Sequence, residues 1–241
     1  MIDIIYHGHS FVEIDLWGES ILIDPYITDN KLCDISLQTI CSKNIIAICI
    51  THGHSDHIWD TVEIVNKTWA KIISTFEVIQ YFTKYHNILS SYSMHVGWEH
   101  NFPINWSNNF WEFKVKFVNA VHWWAIWPEF FPWKAAWIVL EIWWKKIYHA
   151  WDTALTYDMK LLENKNIDVA FLPIWWNFTM WIEDAVKATE FIKPKIVIPI
   201  HYNTFETIKA NPTNFAQKIM LNNLANCKVL TPGQSIVFDN I

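Results

Sequence analysis

Three imidazoles and a carboxylate crowd six consecutive positions, His52 to His57, in the stretch Thr51-His52-Gly53-His54-Ser55-Asp56-His57. The stretch follows directly on an apolar run from Ile45 to Ile50. Imidazole nitrogens and carboxylate oxygens suit zinc and related divalent metals. One short turn cannot aim all four groups at a single tetrahedral ion, whereas two adjacent ions can share them. The plain alternative is a solvated, histidine-rich loop. The same pattern of an apolar run followed by a donor recurs three times: 113–121 ends at His122, 146–150 leads to Asp152, and 195–200 ends at His201. Taken singly, His122 or His201 reads as a half-buried histidine, and Asp152 as a turn or N-cap residue ahead of Thr153. Taken with the first cluster, they read as strand ends that meet at one rim.

A fold that delivers donors from strand ends must be rich in strands. Period-two and continuous apolar runs predict strands at 2–6, 11–16, 20–24, 45–50, 71–74, 112–118, 135–142, 169–174, 196–200 and 235–238. Helical spacing predicts helices near 58–66, 75–85, 157–163, 183–192 and 214–224. The strands fall into two clusters with helices interspersed. This predicts two sheets with helices outside, in a single domain over 1–241, and not a regular βαβ alternation.

Composition narrows the function classes. Apolar residues make up 52% of the chain and charged residues 17%, which excludes a disordered tail. Charges interrupt every apolar stretch well before a membrane span is reached, and the N-terminus lacks the basic region of a signal peptide, so neither is expected. A net charge of −6 argues against nonspecific nucleic-acid binding. The four cysteines form no CxxC pair and read as reduced thiols of a cytoplasmic protein. Arginine is absent, so no bidentate guanidinium clamp exists for a phosphate.

Tryptophan occurs 17 times and glycine only 5. Trp143-Trp144 lies between two strand-like runs, where a two-residue hairpin turn needs positive φ and favours Gly or Asn. Two readings stand open. One is a tryptophan-lined pocket for apolar or aromatic ligands. The other is a gene whose UGA codons are read as glycine by its host and are written here as tryptophan.

The ordered set THGHSDH, His122, Asp152 and His201 resembles the metallo-β-lactamase superfamily over essentially the whole chain. Gly8-His9-Ser10, His149-Ala150-Trp151-Asp152-Thr153, the stretch from Leu172 to Trp181, and Ile200-His201-Tyr202-Asn203-Thr204-Phe205 resemble, more narrowly, a family of small bacterial metal-dependent hydrolases related to ascorbate-6-phosphate lactonases. Trp59, Trp151, Trp175, Trp176 and Trp181 fall where that family has glycine. The resemblance implies an α/β (α+β) fold, a four-layer αββα sandwich. It implies one metal held by His52, His54 and His122, a second held by Asp56, His57 and His201, and Asp152 bridging the two. The expected cofactor is a pair of divalent ions, zinc first, with Mn2+ or Fe2+ as alternatives. The implied chemistry is attack by a metal-bridging hydroxide on an ester or lactone, with Asp56 as the catalytic group that orients the nucleophile or collects its proton. A phosphodiesterase or nuclease on the same fold is the rival enzyme, and a non-catalytic metal-binding or scaffold protein is the rival of another class. A small-molecule substrate is the expected partner; homo-oligomerisation is left open. His7 and His9 read as loop residues or as support behind the ligands, and His149 as packed. His86, His95 and His100 read as surface groups. Tyr202 and Asn203 read either as neighbours of the leaving group or as support. Genuine tryptophans at 59, 123, 151 and 175 would crowd the metal rim.

Overall fold

The apolar runs become strands wherever a neighbour can take up their backbone hydrogen bonds. The computed structural model describes residues 1–106, 109–126, 129–150, 152–175 and 177–238. At 105–106, 109–110, 123–126 and 129–133 it describes the backbone alone. Trp151 and Trp176 therefore lie outside the described residues, and of the Trp123 side chain nothing is described. Two compact units divide the chain: 1–95, 124–133 and 230–241 in the first, 96–123 and 134–229 in the second.

The first unit carries a seven-stranded sheet in the order β14-β1-β2-β3-β4-β5-β6. Its strands are β1 (Ile2–Tyr6), β2 (Val12–Leu16), β3 (Glu19–Ile23), β4 (Asn44–Cys49), β5 (Lys71–Thr75), β6 (Ser91–Met94) and β14 (Ser235–Phe238). β14, β1, β2 and β3 pair antiparallel, and β3 to β6 run parallel. Every residue of β3 is buried, as expected for a strand with neighbours on both sides. Helices α1 (Leu37–Cys41) and α3 (Thr61–Thr68) pack against β4, and α4 (Phe76–His86) packs against β5 and β6. α4 turns Val78, Ile79 and Phe82 inward at helical spacing, and fully burying one such phenylalanine contributes about 2–3 kcal/mol. The single helix expected at 58–66 is two: the four-residue α2 (Ser55–Ile58) and α3. The chain breaks between them because Asp60 turns its carboxylate to the backbone N–H groups of Ile27 (2.6 Å) and Thr28 (3.0 Å).

The second unit carries a second seven-stranded sheet, ordered β13-β12-β11-β10-β9-β8-β7. Its strands are β7 (Glu99–Trp106), β8 (Asn109–Ile126), β9 (Glu129–Ile142), β10 (Lys145–His149), β11 (Val169–Pro173), β12 (Ile196–Ile200) and β13 (Asn226–Cys227). β7 pairs antiparallel with β8, and β9 with β10 through the two-residue connection 143–144. β10 to β13 run parallel. Helix α5 (Ile182–Ile192) buries Ala185, Ala188, Thr189 and Ile192 on one stripe. It packs on α6 (Pro212–Leu221) and on the 3-10 turn Tyr157–Leu162. The two sheets match the expected fold class. β8 corrects the expected 112–118 strand: pairing continues past His122 to Ile126, so that histidine stands inside a strand and not at its end.

Candidate metal centre

In the first unit, β4 delivers the histidine stretch at its carboxyl end, where parallel strands release loops toward ligands. His52 and His57 are fully buried; His54 and Asp56 are partly exposed. His52 Nε2 faces His54 Nδ1 at 2.8 Å. Asp56 Oδ2 lies 3.1 Å from His9 Nε2 and 3.8 Å from His57 Nε2. His9, read from sequence as a loop or supporting residue, is fully buried among the donors. His9, Asp56 and His57 each offer one ligand atom within 4.8 Å of the others. The available signal was Gly8-His9-Ser10, but one imidazole beside a stronger cluster carries little weight on its own.

Sequence reasoning also missed Asp24, at the carboxyl end of β3. Its buried carboxylate accepts from His57 Nδ1 at 2.9 Å, from the Thr51 backbone N–H at 3.1 Å and from the Thr51 hydroxyl. This fixes the His57 tautomer and turns Nε2 toward the donor cluster. Burial pushes the Asp24 carboxyl up, opposed by the His57 charge and by these hydrogen bonds. His9 (φ 56°) and Asp24 (φ 47°) both take left-handed backbone, a cost typical of residues held for a site. His7 belongs elsewhere: its ring bridges Glu13 (3.1 Å) and Asp34 (2.8 Å).

In the second unit, the donors come from separate segments. Asp152 follows β10, His201 follows β12, and His122 sits in β8. Asp152 is buried and divides its carboxylate, Oδ1 lying 2.9 Å from His201 Nε2 and Oδ2 lying 3.6 Å from His122 Nε2. The backbone explains the pairing with β8: Val121 N–H donates to the Thr153 hydroxyl (3.2 Å), and Ala154 N–H donates to the Val121 carbonyl (3.1 Å). His201 is buried with φ 57°. The Trp175 ring lies parallel to the His201 ring, 5.7 Å between centroids.

The remaining candidates separate cleanly. His149 is buried and stacks on Phe171. His86, His95 and His100 are exposed. Asn203 Oδ1 accepts from the Ala210 backbone N–H at 3.0 Å, so its amide braces a loop. The half-buried Tyr202 phenol is pushed up to about 12, mainly by burial, and stays protonated at neutral pH. Trp59 and Trp181 are about half exposed, at 53% and 52%, against the expected crowding at Trp59.

Imidazole nitrogens facing one another or a carboxylate, in buried surroundings, are the donor set of a divalent metal site, so the residues present fit such ions. The chain also has relatives. A family model described as a beta-lactamase superfamily domain matches residues 19–202. A UPF0173 metal-dependent hydrolase of Bacillus cereus is 41% identical over 239 residues, covering 96% of this chain and 97% of that protein. The structure of Igni18, a metallo hydrolase from the hyperthermophilic archaeon Ignicoccus hospitalis, matches with a TM-score of 0.84 at 30% identity, covering 100% of this chain and 99% of that one. An isothiocyanate hydrolase from Delia radicum gut bacteria shares the fold alone, with a TM-score of 0.73 at 13% identity over 98% of each chain. This chain belongs to the β-lactamase superfamily, among relatives named UPF0173 metal-dependent hydrolases, and is itself a metal-dependent hydrolase of the metallo-β-lactamase fold.

Proposed function

We propose that residues 1–241 work as a single dinuclear hydrolase domain cleaving an ester or lactone in a small-molecule substrate. Following the family resemblance, one ion is assigned to His52, His54 and His122, and the other to Asp56, His57 and His201, joined by His9 on the strength of its place beside Asp56. This enlarges the set expected from sequence by His9. Asp152 is assigned the bridging role, and the reading rests above all on how it divides its two oxygens between His122 and His201. Zinc is the metal favoured by a donor set rich in imidazole. When bound, such ions polarise the substrate oxygen and lower the pKa of water.

The chain's own groups supply the rest. Asp24 holds the His57 ring against rotation through its bond to Nδ1. Asp56 has a side chain 25% exposed, close to His9 and His57, and so can reach both the site and solvent. This suits it to orient the attacking group or to carry its proton away. The absence of arginine favours a carboxylic ester over a phosphoester, because a phosphate would have to be held by Lys, backbone or metal. The four free thiols accord with a cytoplasmic setting, and among the described residues no helix is long and apolar enough to cross a membrane.

The test is metal analysis of the purified protein followed by turnover of lactones, thioesters, activated esters and bis(p-nitrophenyl) phosphate. Two divalent ions per chain and chelator-sensitive hydrolysis of a lactone or ester are expected. Turnover confined to the phosphodiester would transfer the assignment to the rival enzyme. Two bound ions without turnover of any substrate would favour a metal-binding scaffold.

A further inference from the structure

Trp17, Trp69 and Trp143 all adopt left-handed backbone, with φ of 58°, 61° and 55°. Trp17 opens the two-residue connection from β2 to β3, followed by Gly18 at φ 92°. Trp143 opens the equivalent connection from β9 to β10. Trp69 closes α3, its N–H on the Val65 carbonyl at 2.8 Å. These are hairpin and helix-end positions where glycine is favoured because a Cβ is costly. Trp69 is 82% exposed, so little packing offsets that cost there. Among the described residues, the other non-glycine positive-φ positions hold Asn, Asp, His or Lys, and none holds Ile, Leu, Val, Phe or Tyr. A backbone that tolerated bulk in general would have admitted some of these abundant residues as well.

A second observation is independent of backbone angle. Trp137 and Trp175 are buried, at 1% and 8% exposure, and among the described residues the indole Nε1 of each has no hydrogen-bond partner. A buried indole selected for its place normally finds an acceptor for its N–H.

We infer that Trp17, Trp69, Trp137, Trp143 and Trp175 occupy glycine positions of the protein as its host makes it, the codon written here as tryptophan being read there as glycine. A glycine at 175 leaves the face of the His201 ring, now covered by an indole, open to a ligand. The glycine assignment stands apart from the metal reading; only this last consequence for ligand access rests on it.

Two measurements test the inference. Peptide mass mapping of the protein purified from cells of its source, alongside the gene, should give glycine at these five positions and TGA codons beneath them. Tryptophan in the peptides covering 137 and 175 would overturn the inference. In recombinant protein, the triple change Trp17→Gly, Trp69→Gly and Trp143→Gly should raise the urea midpoint of unfolding. A lowered midpoint would count equally against it, because the left-handed backbone would then be one that tryptophan serves better.

Discussion

The two units supply their proposed metal donors in opposite ways. The first takes four of its five from one unbroken stretch, His52 to His57, with His9 joining from the loop between β1 and β2. The second takes His122, Asp152 and His201 from three segments that lie far apart in the chain. In the first unit a carboxylate that is itself no proposed ligand, Asp24, steadies the cluster from behind. In the second, the carboxylate among the proposed donors, Asp152, lies between the two histidines, and hydrogen bonds of the Val121 backbone to Thr153 and Ala154 fix its place beside β8. The contiguous stretch is thus braced by a carboxylate outside it, whereas the dispersed set is gathered around its own most central member.

That contrast can be broken most sharply at Asp152. Asp152→Ala should lower ester turnover by more than about three orders of magnitude, about 4 kcal/mol of transition-state stabilisation, and reduce bound metal. Retained activity with both ions in place would deny Asp152 its central role. The next effect is on stability in acid and belongs to the first unit. Burial would raise the Glu13 carboxyl, but His7, Lys43 and Ser20 outweigh that and hold it at about 2, against an ordinary 4.5. A depressed folded-state value adds stability that is fully present above pH 4.5 and is lost as pH falls toward 2, on the order of 3 kcal/mol. Glu13→Gln should therefore flatten the fall in urea midpoint across that window, and an unchanged acid profile would remove Glu13 from the account.

Asp24→Asn comes third. Freeing the His57 ring should weaken metal affinity about 10–100-fold, measured by competition with a chelator, while the fold persists. If affinity held, the external brace would be dispensable and the contrast between units would lose its meaning. The smallest effect is a control in the second unit, where Asn211 caps α6 by accepting from Thr213 N–H at 3.0 Å and Asn214 N–H at 3.3 Å. Asn211→Ala should cost about 1 kcal/mol in unfolding free energy and leave metal content untouched.

How far each feature could be read beforehand follows the same division. The 52–57 cluster was legible because metal chemistry and sequence adjacency coincide there. Asp152 and His201 were legible as candidates because the one comes shortly after an apolar strand and the other directly after one. His122 was found by the same rule, although the rule misjudged its setting: β8 continues through it, paired by backbone bonds that no apolar run announces. Asp24 could not be read, since its partner His57 is 33 residues away and an aspartate before a proline looks like an ordinary turn. β6 and β7 were missed because SYSM is short and EHNFPINW is polar and carries a proline; their pairing with β5 and β8 makes them strands. The break between α2 and α3 was equally hidden, because it serves the distant backbone of Ile27 and Thr28.

Asp24 grips Thr51 at one end of the histidine stretch and His57 at the other, so that stretch is closed into a circuit by a single group. A closed circuit keeps its end points whatever happens along its span. Residues in mid-span that donate nothing, such as Ser55, are then free to drift between relatives or to be redesigned, while Thr51, His57 and Asp24 can change only in concert.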